Sequence, residues 1–397
     1  MTVTSKAIDF SEFDLVIIGG GCAGLSLTLA LLQYNYAGKV LVIERREQYE
    51  HDRTWSGWFS QSDLALLTNL SMQTFPGWSI SDGRHCYCHT STSHPYYSIS
   101  SEHFYSYALQ KIDASSNVQL LTGAALSVND LSAITHTHII DTVGLGIEIT
   151  RPRYGLWQSF VGVMVSSSSV LFDVNTQSHA TLMSDMSQDE NGFYFTYIIP
   201  QNPHQALVEV TYFTSKSLTR DYLTKRSTHA AQRFVQTKIT PSLNDITITA
   251  IEYGHLPMWD VVSHQTPRSQ THHHITLAGN ISGALRSSSG YGFATIQRWA
   301  NQTGKALSRT EKLSTKPLLH TRHYSRWVQW MDNILLVVLV RYPKLSSTIF
   351  LRMANRLTGS EFAQFMSHRA PLRIWLKVVI AMPKWAFIKA VWWSWLD

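Results

Sequence analysis

The sequence is poor in three things, and each narrows what the chain can be. It holds only three cysteines, Cys22, Cys86 and Cys88, too few for a disulfide framework and suited to a reducing cytosol. Cys86-Tyr87-Cys88-His89 carries half the donors of a metal site. No second cysteine pair exists to complete it, so no metal is expected. The triple His272–His274 directly precedes a strand-like ITLAG and reads as a solvated strand entry rather than a ligand cluster. Charged residues make only 15% of the chain, where about a quarter is usual. Long apolar runs are also missing. The longest without glycine, Ile334 to Val340, is seven residues and ends at Arg341, far short of the roughly 18 a spanning helix needs. Residues 1–13 are polar and lack the charged start and apolar stretch of a signal peptide.

What is abundant is aromatic and basic, and it is unevenly placed. At 397 residues and 45.0 kDa the chain can hold two or three packed units. Aromatics reach 12%, with thirteen Trp. From Lys316 to Asp397 there are twelve Lys or Arg against three acids, Asp332, Glu361 and Asp397, and seven of the Trp. Basic charge with Trp serves nucleic acid or a membrane surface. No nucleic-acid module shows in the pattern, so the membrane is the expected contact. Within this region Pro371 to Met382 reads as an amphipathic helix. Arg373 and Lys377 lie on one face, and Leu372, Trp375, Leu376 and Val379 cover much of the rest. Pro383 ends it, and Trp385, Phe387, Trp392, Trp393 and Trp395 follow. A helical subdomain packed on the core is the plainer alternative.

The rest of the chain is organised around residues 14–46. The apolar run Leu15 to Ile18 reads as a strand buried on both faces, and Gly19, Gly21 and Gly24 follow in the spacing G-x-G-x-x-G. A helical stretch runs from Leu25 to Tyr34, and a second buried strand, Val40 to Ile43, closes at Glu44 beside Arg45. Gly19 permits the tight turn, Gly21 lets a pyrophosphate approach the backbone, and Gly24 lets helix and strand pack closely. The free amides and dipole of the helix start favour the diphosphate, and an acid ending the second strand can accept hydrogen bonds from a ribose. A lone G-x-G-x-x-G can be an ordinary glycine turn, but here strand, helix and acid agree. Its nearness to the N-terminus favours FAD over a nicotinamide domain.

Beyond it, His51-Asp52-Arg53-Thr54-Trp55-Ser56-Gly57-Trp58 would run from the ribose acid toward the flavin ring, or serve as a Trp-anchored packing loop. Amphipathic helix is expected over Ser62 to Leu70 and over Ser101 to Lys111. Strands are expected at Val118 to Leu121 and His138 to Asp141. From 153 to 252 the pattern turns to antiparallel strands: Gln158 to Val165, Ala180 to Met186, Gly192 to Ile199 and Gln205 to Phe213, with Asn191-Gly192 as a hairpin turn. Glu209 sits inside the last of these, on one face with Leu207 and Thr211. It is either a solvated outward residue or a buried carboxyl, and burial would raise its pKa and suit an acid catalyst. A helix (Ser217 to Gln236), Glu252-Tyr-Gly-His-Leu-Pro-Met258 and the strand Ile275 to Ala278 follow. Gly279-Asn-Ile-Ser-Gly283 and Ser287-Ser-Ser-Gly290-Tyr291-Gly-Phe293 then lead into a helix from Ala294, a unit placed to return over the flavin.

Taken together, DLVIIGGGCAGLSLTLAL, DRTWSGW, GLWQSFVGVMV, ALVEVTYFT, EYGHLPM, AGNISGALRSSSGYGFATIQ and the C-terminal GSEFAQFMSHRAPLRIWLKVVIAMPKWAFIKAV resemble the bacterial lycopene β-cyclases, in the family's order and over nearly the whole chain. The resemblance implies an α/β, Rossmann-like FAD-binding fold of the aromatic-hydroxylase type. It carries an antiparallel β substrate domain and a helical C-terminal region. The FAD-binding domain would comprise 1–60, 117–152 and 250–305, the substrate domain 61–116 and 153–249, and the basic, Trp-rich region 306–397. By this likeness Glu209 falls on the acid proposed to act in cyclisation, with Glu252 the second choice. Asp52, Thr54 and Trp55 fall on the loop motif and, with Trp58, on the substrate side. Gly19, Gly21, Gly24, Glu44, Arg45, Gly279, Gly283, Gly290 and Tyr291 fall on the cofactor side. Where family members more often have an aromatic this chain has Ser56-Gly57, and where many have Thr it has Ser289.

The chemistry so implied is redox-neutral. Protonating a terminal double bond of a linear carotene gives a tertiary cation, a neighbouring double bond attacks it, and proton loss sets the ring alkene. Such a reaction needs a proton donor in a dry cavity and electron-rich faces such as Trp55, Trp58 or Trp157 to stabilise the cation. The resemblance implies that reduced, anionic FAD does much of this, with NADPH as the reductant, in a cytoplasmic enzyme peripherally attached to the inner membrane. Two rivals share the fold: an FAD/NADPH-dependent monooxygenase of an aromatic or lipid substrate, and a non-catalytic lipid carrier. Against the first, Gly279-Asn280 stands where hydroxylases of this fold usually show Gly-Asp.

Overall fold

Four apolar residues between Asp14 and Gly19 form β1 (Leu15–Ile18), buried throughout. The glycine turn leads into α1 (Cys22–Gln33), and the chain returns as β2 (Val40–Ile43), parallel to β1. In this computed structural model residues 8–134, 137–238, 246–266, 274–310 and 322–394 are described. His272, His273 and Trp395 lie outside them.

The DRTWSGW segment is a strand, β3 (Thr54–Trp58), followed by β4 (Gln73–Phe75), β5 (Gly77–Ser81), β6 (Cys86–Thr90), β7 (Tyr96–Ser100) and α2 (Ser101–Asp113). The expected helix from Ser62 to Leu70 is a chain of short turns. There Asp63 is drawn into ion pairs with Arg298 and Arg369, and Leu66, Leu67 and Leu70 are all buried. These tertiary anchors outweigh a local helical preference. Next come β8 (Val118–Leu121), α3 (Val128–Ala133) and β9 (His138–Asp141).

The antiparallel part follows: β10 (Leu156–Ser167), α4 (Val174–Gln177), β11 (His179–Asp189), β12 (Gly192–Asn202), β13 (Gln205–Thr214), α5 (Arg220–Lys238) and β14 (Ile246–Met258). Asp189 pairs with Gly192, so the hairpin turns on Glu190 and Asn191, one residue earlier than expected. Gly192 opens β12 at φ +139°, where a Cβ would lie 2.5 Å from the Phe213 carbonyl oxygen. The chain ends in β15 (Ile275–Leu277), α6 (Phe293–Leu307), α7 (Arg326–Arg341), α8 (Ser346–Arg356), α9 (Gly359–Met366), α10 (Leu372–Ala381) and α11 (Lys384–Ser394).

Among the described residues the strands form three sheets. The first is parallel, ordered β15-β9-β1-β2-β8, with α1 and α6 packed together beside it. The second, β14-β10-β13-β12-β11-β5-β6, is the broad wall of the molecule. One face of it packs on α5, through Val208, Val210 and Tyr212 against Leu223, Ala231 and Val235. Leu207, Phe195 and Phe213 on the other face join a large core with the C-terminal helices. Period-two alternation thus sends Glu209 and Thr211 toward the interior cleft rather than to α5. Among the described residues no single helix is long and apolar enough to cross a membrane.

Candidate active site

A cleft of about 620 Å³ runs between the parallel sheet and the broad wall. The glycine turn after β1 forms part of its wall. Gly19 takes φ +98°, and a Cβ on Gly24 would stand 1.9 Å from the Gly19 carbonyl oxygen, so only glycine lets α1 lie this close to β1. Gly21 caps α1 without a side-chain hydrogen bond, and a Cβ there would meet no atom within 4 Å. Open space over uncapped helix amides is a cradle that fits a diphosphate. Gly19, Gly21, Gly279 and Gly290 line the cleft. Gly24 and Gly283 do not. Gly24 packs helix on strand, and Gly283, at φ +80°, ends a 3₁₀ turn.

Glu44 is buried on the cleft wall, and its carboxylate is already held by protein donors. Gly20 N–H donates to Oε2 at 2.8 Å, and the Arg46 amide and Nε donate to Oε1 at 2.9 and 3.0 Å. Burial alone would raise its pKa, but these donors outweigh it and hold the carboxyl below the usual range. Arg45, expected on the cofactor side, is exposed and lines the cleft. The neighbouring Arg46 makes the contacts, reaching Asp52 Oδ2 at 3.1 Å and the Gly20 carbonyl at 3.2 Å. Asp52 also accepts from Tyr105 at 3.0 Å. Trp55 packs edge-on against Phe104 and Tyr105.

Two buried carboxyls also line the cleft. Glu209 on β13 and Glu252 on β14 both lie opposite Gly162 of β10, so the three occupy one face of the sheet. Burial and the charge of Glu252 push Glu209 up to about 8, against a hydroxyl hydrogen bond from Thr211 to Oε1 at 2.6 Å. Burial pushes Glu252 up to about 7, moderated by the hydroxyl and amide of Thr54 and by the charge of Arg53. An acid of this kind stays protonated near neutrality and can deliver a proton. Gly162 belongs to no motif, and its one signal in the sequence is that a lone glycine inside a strand marks a place where something approaches closely.

Tyr197, opposite Glu209 on β12, and Tyr291 separate this cleft from a second cavity of about 510 Å³. The second cavity is almost wholly apolar, walled by Trp58, Phe195 and Phe213 and by the C-terminal helices. Trp58 therefore belongs to it rather than to the polar cleft. Trp157, expected as an electron-rich face, lines neither. It stacks on His255 at 4.1 Å, because β10 sends it to the opposite side from Phe160 and Gly162.

The family profile described as "Lycopene cyclase protein" matches residues 14–391. The chain belongs to the lycopene cyclase family. Glu209, the acid expected to act in cyclisation, is one of the buried carboxyls that line the cleft. No curated protein sequence matches the chain. Among solved structures, a geranylgeranyl bacteriochlorophyll reductase-like protein from Thermoplasma acidophilum superposes with TM-score 0.58 at 12% identity, covering 95% of this chain and 98% of that one. The p-nitrophenol 4-monooxygenase of Pseudomonas putida gives 0.53 at 12%, covering 94% and 98%. A flavin-dependent brominase triple mutant gives 0.55 at 12%, covering 97% and 100%. At such identities these likenesses establish the fold: this lycopene cyclase family member shares the α/β architecture of the reductase-like protein, the monooxygenase and the flavin-dependent brominase.

Proposed function

We propose that the chain cyclises the ends of a linear carotene to β-ionone rings, with FAD in the cleft. The observation that carries this reading is a pair of buried acids in a dinucleotide cleft that shares Tyr197 and Tyr291 with an apolar, aromatic-walled cavity. Gly19, Gly21, Glu44, Arg46 and the Gly279–Asn280 and Gly290–Tyr291 turns would hold the dinucleotide. Bound FAD, kept reduced by NADPH, would supply electron density that stabilises a nearby cation.

The chain's own residues do the rest. The apolar cavity takes the polyene and excludes water, with Trp58 and Tyr291 presenting aromatic rings to it. Glu209 protonates the terminal double bond, the adjacent double bond closes the ring, and a proton leaves to set the ring alkene. No electron is gained or lost.

Substrate access comes from a membrane. Leu372, Leu376, Ile380, Ile388 and Trp392 on α10 and α11 are 52–71% exposed. Ile380 and Ile388, with Lys384, also form part of the second cavity's wall, so the apolar surface and the cavity are continuous. Trp375, expected on this surface, instead turns inward against Phe365. Apolar and Trp side chains beside lysines are suited to an anionic bilayer surface, which supports a peripheral position on the cytoplasmic side of an inner membrane.

The test is anaerobic incubation of purified protein with FAD, a reductant and lycopene in liposomes. Cyclic carotene should form without oxygen and with catalytic amounts of reductant. NADPH consumption matched by oxygen uptake would mark a monooxygenase instead, and unchanged lycopene with no bound flavin would overturn the reading.

A further inference from the structure

Gly162 sits mid-strand in β10 between the two acids, a position where glycine costs roughly 0.5–1 kcal/mol relative to alanine. What it provides is room. A Cβ built there would lie 2.8 Å from Glu252 Cγ, 2.9 Å from Glu252 Oε1 and 2.9 Å from Leu207 Cδ1. The Glu252 side chain therefore leans over the glycine, toward the strand that carries Glu209. Glu252 is 3% exposed, and its Oε2 makes no hydrogen bond. A buried acceptor oxygen left unused is costly, and the residue that carries it lines the cleft. Thr54 and Arg53 favour the ionised form of Glu252 against the charge of Asp52, while the Thr211 hydroxyl does so for Glu209 against the charge of Glu252. Two carboxyls held in one cleft by different surroundings divide acid and base roles.

Resting on the cyclase reading, we propose that Glu252 is the base of the reaction, and that its position over Gly162 decides which ring isomer forms. Glu209 gives its proton to the terminal alkene carbon. The neighbouring double bond then forms the new carbon–carbon bond and leaves the positive charge on a ring tertiary carbon. That carbon has three hydrogen-bearing neighbours: the ring CH that carries the polyene, a ring CH₂ and a methyl group. Glu252 takes the proton from the first, and the C–H electron pair becomes the ring double bond of the β isomer. Glu209 ends ionised and Glu252 protonated. After product leaves, the proton passes back between them, so nothing is consumed.

The test compares Glu209→Gln, Glu252→Gln and Gly162→Ala in the liposome assay, with products separated by ring isomer and bound FAD read by absorbance. Glu209→Gln should abolish conversion. Glu252→Gln should lower the rate on the order of 10²-fold and spread the remaining product over rings with the double bond toward the CH₂ or the methyl carbon. Gly162→Ala, which displaces Glu252 while leaving both carboxyls present, should show the same spread with a smaller loss of rate. If Glu252→Gln or Gly162→Ala folds with FAD bound and yields only β rings at the wild-type rate, Glu252 is not the base. If the wild-type enzyme leaves lycopene linear, the cyclase reading falls and this inference with it.

Discussion

Arg286 and Asp332 form an ion pair with both side chains buried, 3% and 6% exposed, in which Arg286 Nε and Nη2 reach the Asp332 carboxylate at 3.2–3.3 Å. Arg286 belongs to the turn that carries Gly290 and Tyr291, and Asp332 to α7. Arg286 Nη1 also donates to the Phe365 carbonyl of α9 at 3.2 Å. The pair thus fastens the C-terminal helices to the wall of the cleft. Neither residue was singled out from the sequence, where Asp332 is merely one of a few acids in a basic tail.

Breaking this pair from one side strands a buried charge. Arg286→Ala or Asp332→Ala should each lower unfolding free energy by about 3–5 kcal/mol in urea titrations. The double change to Met and Leu should cost far less than the two single changes together. Both single variants should also retain flavin less well, measured by dialysis and absorbance, because the Gly290–Tyr291 turn loses its anchor.

The two turn glycines separate binding from folding. Gly21→Ala adds a methyl that meets no protein atom within 4 Å, so the variant should melt like the wild type as apoprotein yet bind FAD weakly. Gly24→Ala drives a methyl to 1.9 Å from the Gly19 carbonyl oxygen and should destabilise the fold by several kcal/mol whether or not flavin is present. Equal melting of the two apoproteins would contradict this division.

The buried acids make stability depend on pH with a definite sign. Glu209 is pushed up to about 8 and Glu252 to about 7 in the folded chain, against 4.5 for an ordinary Glu. The folded state therefore holds more protons than the unfolded one, and stability is greatest below about pH 4.5 and falls as pH rises toward 8 as far as these two groups are concerned. Glu209→Gln removes its share, so the variant should be more stable than wild type at pH 8, by up to about 4 kcal/mol, and no more stable at pH 4. Activity should peak between the two apparent values, which belong to the pair rather than to either residue.

The exposed apolar face of α10 and α11 gives a binding prediction. Leu372→Asp and Leu376→Asp, neither of which lines a cavity, should each weaken association with phosphatidylglycerol vesicles at least tenfold in co-sedimentation, since burying one such side chain is worth about 1.5–3 kcal/mol. Lycopene dispersed in detergent should still be turned over by both. Added salt should weaken wild-type binding, because the lysines act through screened charge.

Much of this protein was legible before any coordinates. Apolar period and glycine spacing are local quantities, so Leu15–Ile18, the G-x-G-x-x-G turn, Val40–Ile43 and the long antiparallel strands could be read off in order. The apolar strand around Glu209 marked it as a possible buried carboxyl. What folding alone decided is whatever depends on register between distant strands. That Glu252 joins Glu209 over Gly162 follows from β10 lying between β13 and β14, which no local pattern encodes. The same holds for Trp58 entering the apolar cavity while Trp157 turns away, and for Arg46 gripping Glu44. A side chain's chemistry is written in its residue, but its neighbours are chosen by contacts made across hundreds of residues, and a reaction needs both.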